Sequence, residues 1–287
     1  KPWRGHSDTE TLLAGFDHWG IQGTVERAMG MFAFAVWDKS ENTLVLGRDR
    51  IGEKPLYYGW QGNSFLFGSE LKALKQHPAF KAEISKESVC LFLRYSNVPA
   101  PYSIYSGFRK LEPGCLLSLS LALPEPKIWK YWSAVDLIKK GINSPFPGTP
   151  LDAVDELELL VKDAIKQQMV ADVPLGAFLS GGKDSSTVVA LMQSQSTQKV
   201  KTFSIGFKEE GYNEAVYAKK IAQHLGTDHT ELYVPSDIAR EVIPNIPTLY
   251  DEPFADSSQI PTFLVAQLAR QHVTVSLSGD AGDELFG

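Results

Sequence analysis

The sequence predicts two successive domains, the first of the α+β class and the second of the α/β class with a parallel sheet. In the first half, the strand-like runs MFAFAVWD and TLVLGRD are separated by KSEN, which is typical of an antiparallel hairpin. In the second half, strand-like runs alternate with helical patterns, which indicates crossover units and a parallel sheet covered on both faces. A stretch rich in proline and glycine separates the two rhythms.

This stretch sets the predicted domain limits. The chain has 287 residues, enough for two domains of ordinary size. LPEPK and NSPFPGTP show little periodicity, which predicts a linker. We therefore expect a first domain over 1–125, a linker over 126–152 and a second domain over 153–287.

The elements of the first half follow from local patterns. SFLFGS predicts a strand, whereas SELKALKQ and SKESVCLFLRY predict helices that each begin at a serine N-cap. GRDRIGEKPLYYG predicts a structured turn with ion pairs. GHSDTETLL places Asp8 before a helix, and on spacing alone Asp8 is a helix cap.

In the second half, a helix precedes a series of strands and helices. DAVDELELLVKDAIKQQM predicts an amphipathic helix, whose apolar face carries Val154, Leu157, Val161, Ala164 and Ile165. The strands predicted after it are VPLGAFLS, KTFSIGF, HTELYV and VTVSLS, and the helices between them include DSSTVVALMQSQ and NEAVYAKKIAQHLG. Ligands of such sheets bind at the carboxyl ends of the strands, where the strand order reverses.

Composition excludes several classes of function. The net charge is −6, with a pI near 5.6, so the chain has no basic surface of the kind that binds nucleic acid. Its two cysteines, Cys90 and Cys115, lie far apart in apolar runs, which predicts buried thiols and a reducing cytoplasm rather than a disulfide or zinc site. No run is long enough to span a membrane and no signal peptide is present. Both ends of the sequence look cut.

The loop FLSGGKDSS raises the question of a phosphate site. As a Walker A motif it fails at two of four defining positions, since Ala177 replaces the first glycine and Asp184 replaces the hydroxyl residue. It fits the pyrophosphatase-type motif S-G-G-x-D-S, in which backbone N–H groups at a helix start bind phosphate. Asp184 then suits a Mg²⁺ ligand. The alternative, which involves no ligand, is a glycine turn followed by a helix cap.

Two further clusters follow apolar runs. SLSGDAGDELFG crowds Asp280, Asp283 and Glu284 beside Ser278 and Gly279, which predicts a shared cation or else a solvated acidic loop. LYDEPFADSSQIPT predicts either part of an acceptor pocket or a helix start capped at 256 or 257. His224 and His229 flank a glycine, where we expect solvated or capping side chains.

Five motifs in this order resemble the glutamine-hydrolysing asparagine synthetases: GMFAFAVWD, GRDRIGEKPLYYG, FGSELKAL, DVPLGAFLSGGKDSS and LSGDAGDELFG. The resemblance implies a partial amidotransferase domain of the N-terminal-nucleophile hydrolase type, followed by a partial, Rossmann-like ATP-pyrophosphatase domain. In such enzymes a cysteine cleaves glutamine, and the ammonia attacks β-aspartyl-AMP formed from aspartate and ATP. The implied ligands are ATP, Mg²⁺, glutamine and aspartate, with no nucleic acid, no membrane and a homodimer as a candidate assembly.

The resemblance also implies roles for individual residues. The catalytic residue would be Asp280, Mg²⁺ would bind to Asp184 and Asp283, and Asp8 would bind the α-amino group of glutamine. The ATP-binding residues would be Leu179, Ser180, Gly181, Gly182, Asp184, Ser185, Ile205, Ser278 and Gly279.

The sequence departs from that family at several points. The nucleophilic cysteine, the Asn-Gly-Glu segment and the segment beyond 287 are absent, and Lys183 stands where an aliphatic residue is usual. We therefore expect the chain as given to lack glutaminase activity and full synthetase activity. Three alternatives stay open: an amido-ligase for another carboxylate, for example in polysaccharide biosynthesis, a tRNA-modifying enzyme with the same loop, and a non-catalytic scaffold.

Overall fold

The computed structural model describes residues 3–5, 7–122, 124–207 and 213–286. The chain divides into two compact units. The first unit comprises Lys1–Pro145 and Tyr250–Ala255, and the second comprises Phe146–Leu249 and Asp256–Gly287. Each unit is described below by itself.

The first unit contains helices and two antiparallel sheets. Its helices are α1 (Asp8–Val25), α2 (Leu71–Leu74), α3 (Lys86–Tyr95) and α4 (Ala134–Asn143). Its strands are β1 (Ala33–Asp38), β2 (Thr43–Arg48), β3 (Tyr57–Gln61), β4 (Ser64–Gly68), β5 (Phe108–Lys110), β6 (Cys115–Ser120) and β7 (Lys127–Lys130). The first sheet has the order β1-β2-β6-β7 and the second sheet has the order β4-β3-β5.

The period-two alternation of the strands divides the core of this unit. Leu46 and Leu117 lie on one face of the first sheet and pack with Tyr58 of the second sheet. Their neighbours Val45 and Leu116 lie on the opposite face. Because successive side chains of a strand point to opposite faces, two apolar neighbours in one strand serve two different cores.

A helical layer covers the outer face of each sheet. Val25 and Ile21 of α1 pack on the outer face of the first sheet. On the outer face of the second sheet, Tyr57 packs with Leu71 of α2 and Phe92 of α3. The first unit is therefore a four-layer arrangement of helix, sheet, sheet and helix.

The structure confirms the predicted hairpin, in which β1 pairs antiparallel with β2, and the predicted strand at β4. It confirms the N-cap at Ser85, whose hydroxyl accepts from the Ser88 N–H. The cap of α2 was predicted one residue early: Glu70 is the N-cap and makes no side-chain cap bond. Asp8 is likewise the first residue of α1, and Ser7 is its cap.

The turn after β2 is held differently from the prediction. The buried carboxylate of Asp49 accepts hydrogen bonds from the backbone N–H groups of Phe32, Glu53 and Lys54. The Arg48 guanidinium donates to three backbone carbonyls. Burial lowers the pKa of Arg48, and the charge of Asp49 opposes this change. Bonds from side chain to backbone, rather than ion pairs, therefore fix this turn.

The prediction for the two cysteines is half correct. Cys115 is buried on β6, between the two sheets, and burial raises the pKa of its thiol. Cys90 is exposed. Its neighbours Val89 and Phe92 on α3 pack into the core, so the helix turns Cys90 toward solvent.

The segment 126–152 contains regular structure, although its composition predicts a linker. Strand β7 pairs with β6, and α4 begins at the N-cap Ser133. Helix α5 (Pro150–Gln168) begins within the same segment, where Thr149 and Asp152 form a capping box. Strand and helix therefore occupy much of a segment whose composition predicts a linker.

The second unit is built on a parallel sheet, as the alternating pattern predicts. Its strands are β8 (Leu175–Phe178), β9 (Lys201–Phe207), β10 (Asp228–Val234) and β11 (Val275–Leu277). Its helices are α5 (Pro150–Gln168), α6 (Lys183–Gln195), α7 (Ala215–Leu225), α8 (Ser236–Val242), α9 (Ile246–Leu249), α10 (Gln259–Ala269) and α11 (Gly282–Phe286), with a 3-10 turn at Ile243–Asn245. The order of this third sheet is β10-β9-β8-β11, and every neighbouring pair is parallel.

Helices cover both faces of the third sheet. Ala177 of β8 packs with Val189 of α6 and Ala218 of α7 on one face. Phe203 of β9 packs with Leu268 of α10 on the other. On α5, Val161 and Ile165 of the predicted apolar face reach the core, whereas Val154 and Leu157 are exposed.

Within the described ranges, no helix combines the length and the apolar character that a membrane crossing requires.

The contact between the two sheets of the first unit can be tested at Leu117, which is fully buried. We expect Leu117→Ala to lower the free energy of unfolding by about 2 to 5 kcal/mol, because it removes buried apolar atoms and leaves a cavity. Urea denaturation measures this change. Leu121→Ala is the control, since Leu121 is 80% exposed. Equal effects of the two substitutions would contradict the proposed core.

Candidate functional site

The strand order of the third sheet reverses beside β8. The chain adds β9 and β10 on one side of β8, and it later adds β11 on the other side. The carboxyl ends of β8 and β11 therefore flank the point at which the order reverses, where α/β sheets bind their ligands. The loops 179–182 and 278–281 leave these two strand ends.

The first loop is folded on itself by its own hydroxyls. The Ser180 N–H donates to Ser185 Oγ at 3.2 Å, and the two hydroxyls lie 2.9 Å apart. The Gly182 N–H donates to Ser180 Oγ at 3.2 Å. Gly181 has φ 90°, and a Cβ there would lie 2.9 Å from Cβ of Tyr217. Both conformation and space therefore require glycine at this position.

The loop leads directly into α6, whose positive end faces the same region. Its N-cap is Gly182, which has no side chain with which to cap the first N–H groups. Asp184 lies in the first turn of the helix. Lys183 is the first helical residue and is exposed, and its side chain does not line the cavity described below. The position that departs from the resembled family is thus a surface position.

The second loop lies against the start of α6. A Cβ on Gly279 would approach the backbone nitrogen of Ser185 to 2.5 Å. A Cβ on Gly282 would approach Cγ of Asp184 to the same distance. Between them, Ala281 has φ 71°, and Ser278 Oγ donates to Asp280 Oδ2 at 2.9 Å. The two predicted loops therefore form one site, in which glycines permit the close approach.

A cavity of about 350 Å³ opens between these loops. The predicted residues that line it are Leu179, Ser180, Gly182, Asp184, Ser185, Ile205, Ser278, Gly279 and Asp280. Of the other residues predicted for this region, Gly181 supports the loop from outside the lining, and Asp283 is an exposed residue of α11. The structure thus brings together nearly all the residues that were selected from separate parts of the sequence.

Seven other residues also line the cavity: Phe178, Phe203, Ser204, Glu214, Pro261, Thr262 and Val265. Phe203 and Ser204 directly precede the predicted Ile205 on β9, so that prediction already indicated this part of the strand. Pro261 and Thr262 belong to the run LYDEPFADSSQIPT, for which the sequence allows either an acceptor pocket or a helix start. Glu214 is the N-cap of α7, and nothing in the sequence marked it as a residue of the cavity.

The carboxylates of this site do not by themselves make a metal cage. Within the described ranges there is no group of three or more histidine, cysteine or carboxylate side chains suited to a metal ion. Two carboxylates do lie on adjoining segments, because Asp184 contacts the backbone that begins at Gly282, and Asp283 follows it. Protein sites for Mg²⁺ commonly use one or two carboxylates and complete the shell with phosphate oxygens and water. The donor set therefore suits Mg²⁺ bound together with a phosphate ligand.

Asp8 lies in the other unit, at a cavity of about 340 Å³. That cavity is lined by Asp8, Thr9, Leu12, Leu13, Phe16, Met31, Phe32, Ala33, Phe34, Ala35, Val36, Lys54 and Ser69. Asp8 is exposed there, and Ser7 Oγ donates to its Oδ1 at 3.3 Å. Neither Cys90 nor Cys115 is among the lining residues. A carboxylate beside an apolar wall suits a small ligand with a cationic group.

The run LYDEPFADSSQIPT serves more than one purpose. In the first unit, Asp251 accepts from the N–H groups of Leu71 and Lys72 at the start of α2. Glu252 accepts from Ile104 N–H at 2.7 Å and pairs with Lys110 at 2.5 Å. These carboxylates are structural, and only the later part of the run, at Pro261 and Thr262, lines the cavity.

The start of α10 confirms neither predicted cap position. The N-cap is Ser258, and Asp256 instead accepts from the Ser258 N–H at 2.8 Å. This bond lowers the pKa of Asp256. The carboxylate therefore stabilises the turn before the helix rather than the helix itself.

The two histidines differ from their predicted surroundings. His224 is exposed in the last turn of α7, as expected. His229 lies on β10, and its side chain is only 9% exposed. Its ring contacts Thr202 and Ser204 of β9. It is therefore neither a solvated nor a capping residue.

Two family matches divide the chain where the two units do, apart from the segment Tyr250–Ala255. Residues 1–132 match the family described as glutamine amidotransferase domain. Residues 156–287 match the family described as asparagine synthase. The segment 156–287 belongs to the asparagine synthase family. Together with the amidotransferase match, it gives the chain a two-part architecture of amidotransferase and synthetase.

Its relatives in the asparagine synthase family include archaeal and bacterial proteins. A relative from Methanocaldococcus jannaschii, named among the glutamine-hydrolyzing asparagine synthetases, is 40% identical over 98% of this chain and 53% of its own length. Asparagine synthetase 1 of Bacillus subtilis is 34% identical over 98% of this chain and 43% of its own length. Asparagine synthetase B of Escherichia coli is 27% identical, again over 98% of this chain. The chain spans about half the length of the curated relatives it matches.

The contact between the two loops can be tested at Gly279. We expect Gly279→Ala to lower the free energy of unfolding of the second unit by about 1 to 3 kcal/mol, because the new methyl group must displace backbone. Thermal unfolding measures this change. The control is Gly141→Ala, since an added Cβ on this exposed residue of α4 would have no atom within 4 Å. A neutral Gly279→Ala would show that the loops are not in contact.

Proposed function

We propose that this chain forms part of a glutamine-dependent asparagine synthetase. ATP would activate the side-chain carboxylate of aspartate as β-aspartyl-AMP with release of pyrophosphate, and ammonia derived from glutamine would then form the amide. One observation carries the proposal: residues of the S-G-G-x-D-S loop and of the S-G-D-A-G-D loop line a single cavity at the point where the strand order reverses.

The first loop is suited to bind the phosphates of ATP. The helix start at Gly182 offers uncapped backbone N–H groups, and the helix dipole places partial positive charge there. The hydroxyls of Ser180 and Ser185 add donors at the same end of the strand. Lys183 is turned to the surface, so backbone and hydroxyl groups, rather than a lysine, would hold the pyrophosphate.

The acidic residues have separate roles in this proposal. Asp184 and Asp283 would hold Mg²⁺, which supplies positive charge to the phosphates during adenylate formation. Asp280 lines the cavity, accepts from the Ser278 hydroxyl and would act on the reacting groups. Pro261 and Thr262, which also line the cavity, would contact the acceptor carboxylate.

The first unit would belong to the glutamine-cleaving half. Its four layers support the N-terminal-nucleophile hydrolase fold, as the order of the parallel sheet supports a Rossmann-like fold in the second unit. Asp8 would pair with the α-amino group of glutamine in the 340 Å³ cavity. Since neither cysteine lines that cavity, we expect the chain by itself to release no ammonia from glutamine.

The metal role of Asp184 is open to a direct test by calorimetric titration of ATP with and without Mg²⁺. We expect Mg²⁺ to strengthen ATP binding by the unaltered chain. In Asp184→Asn this gain should fall by about 10- to 100-fold, because the neutral amide is a poor ligand for a hard cation. Pyrophosphate release by the full-length protein should fall with it, while glutamine hydrolysis is retained.

The matched control is Asp172→Asn, which removes an exposed carboxylate of the same unit outside the cavity. It should leave the gain from Mg²⁺ unchanged. If Asp184→Asn behaved like this control, the metal would have to bind elsewhere. If the unaltered chain bound no ATP at all, the nucleotide site itself would be refuted.

A further inference from the structure

Two buried hydroxyl residues lie among apolar residues on a strand beneath the nucleotide cavity. Thr202 and Ser204 alternate with Phe203 on β9, and both are buried, at 0% and 4% exposure. A buried hydroxyl is costly unless it is hydrogen-bonded. Ser204 also lines the cavity, so the partner that holds it acts on a wall of the site.

That partner is the imidazole of His229. In the parallel register of β9 and β10, His229 lies opposite Thr202, and Glu231 lies opposite Ser204. The ring bridges the two hydroxyls: Nδ1 lies 2.8 Å from Thr202 Oγ1, and Nε2 lies 3.2 Å from Ser204 Oγ. Both ring nitrogens are thereby used inside the fold.

The ion pair of Glu231 and Lys219 lies next to the His229 ring. Glu231 Oε1 lies 3.9 Å from His229 Nε2 and 3.0 Å from Nζ of Lys219 on α7. Tyr233 OH donates to the other oxygen of Glu231. Burial lowers the pKa of His229, Glu231 opposes this change, and Lys219 adds to it. The ring is therefore neutral at neutral pH.

Both ring nitrogens face hydroxyls, and a hydroxyl can donate or accept, so the bridge is compatible with either neutral tautomer. In the tautomer with the proton on Nδ1, the ring donates to Thr202 Oγ1 and Nε2 accepts from the Ser204 hydroxyl.

We propose that His229 carries its proton on Nδ1 and is a positioning residue of the nucleotide site, which directs the hydrogen of Ser204 inward and leaves the oxygen lone pairs of Ser204 facing the cavity. Ser204 would then accept a hydrogen bond from a donor group of the bound nucleotide. The inference rests on the proposed ATP site, since it assigns a role in that same cavity.

Protonation reverses this arrangement. A ring with protons on both nitrogens donates to Ser204, whose own hydrogen must then turn toward the cavity. Ser204 changes from acceptor to donor, and the contact with a nucleotide donor is lost. The contribution of Ser204 to binding is therefore complete above the pKa of His229 and is lost as the pH falls through that value, which lies below that of an ordinary histidine.

The first experiment is a double-mutant cycle on ATP binding, measured by calorimetry near neutral pH. We expect Ser204→Ala and His229→Leu each to weaken binding about three- to tenfold, the effect of one lost hydrogen bond. The double variant should be no weaker than Ser204→Ala alone, because His229 acts through that hydroxyl. His229→Gln, whose amide oxygen can accept from Ser204, should restore most of the affinity.

The second experiment follows the same titrations from about pH 8 to about pH 5. The advantage of the unaltered chain over Ser204→Ala should decline as the pH falls toward the lowered pKa of His229. In His229→Gln it should persist, because an amide does not titrate. His224→Gln is the matched control, since it removes an exposed histidine of the same unit. Comparison with Ser204→Ala cancels the titration of ATP itself.

A third measurement needs no nucleotide. The nitrogen chemical shifts of the His229 ring should report the neutral form with its proton on Nδ1. Ser204→Ala should raise the pKa of His229, because a donor to the neutral ring is lost. A proton on Nε2 in the unaltered chain would overturn the inference even if a substituted chain failed to fold, and an unchanged His229 pKa in folded Ser204→Ala would overturn it as well.

The remaining outcomes separate the two proposals. If the unaltered chain binds ATP and the two single substitutions add in the double variant, His229 has no positioning role and the ATP site stands. If ATP does not bind while the ring measurements are as expected, the coupling between the two residues stands and the identity of the ligand is wrong.

Discussion

The site depends on one close approach between two segments of the chain. Gly279 and Gly282 pass so near to Ser185 and Asp184 that no side chain larger than hydrogen fits between them. This contact joins the loop after β11 to the start of α6, and it closes the cavity from two sides. Parallel pairing of β11 with β8 is what brings the two loops to the same edge. The chemistry proposed for the cavity follows from that topology.

The first unit obtains its layers from a different constraint. Each of its central strands has apolar side chains on both faces, as in the neighbouring Leu116 and Leu117. A sheet with one solvent-exposed face would leave half of these apolar side chains in water, so helices must cover the outer faces of both sheets. Buried polar groups in this unit need hydrogen-bond partners. The buried carboxylate of Asp49 finds them in the three backbone N–H groups that donate to it.

Polar residues inside the second unit are conspicuous because their surroundings are apolar. The hydroxyls of Thr202 and Ser204 both contact His229, and His229 in turn is satisfied by both of them. Such a fully bonded group can orient a hydroxyl at the wall of a cavity without exposing itself to solvent. The sequence motif TFSIGF identifies the strand, but only the parallel register places the imidazole beside it.

The sequence by itself determined the two classes of domain, the parallel sheet and most residues of the nucleotide cavity. It could do so because a glycine-rich loop that follows an apolar run is recognisable from its local sequence. In addition, the carboxyl ends of parallel strands must lie at the same edge of a sheet. It misplaced Cys90 and His229, and it gave no signal for Glu214. The outcome at these positions depends on which face of an element meets a distant segment. Only the tertiary structure decided this, since short amphipathic segments allow several such pairings and long-range packing selects one.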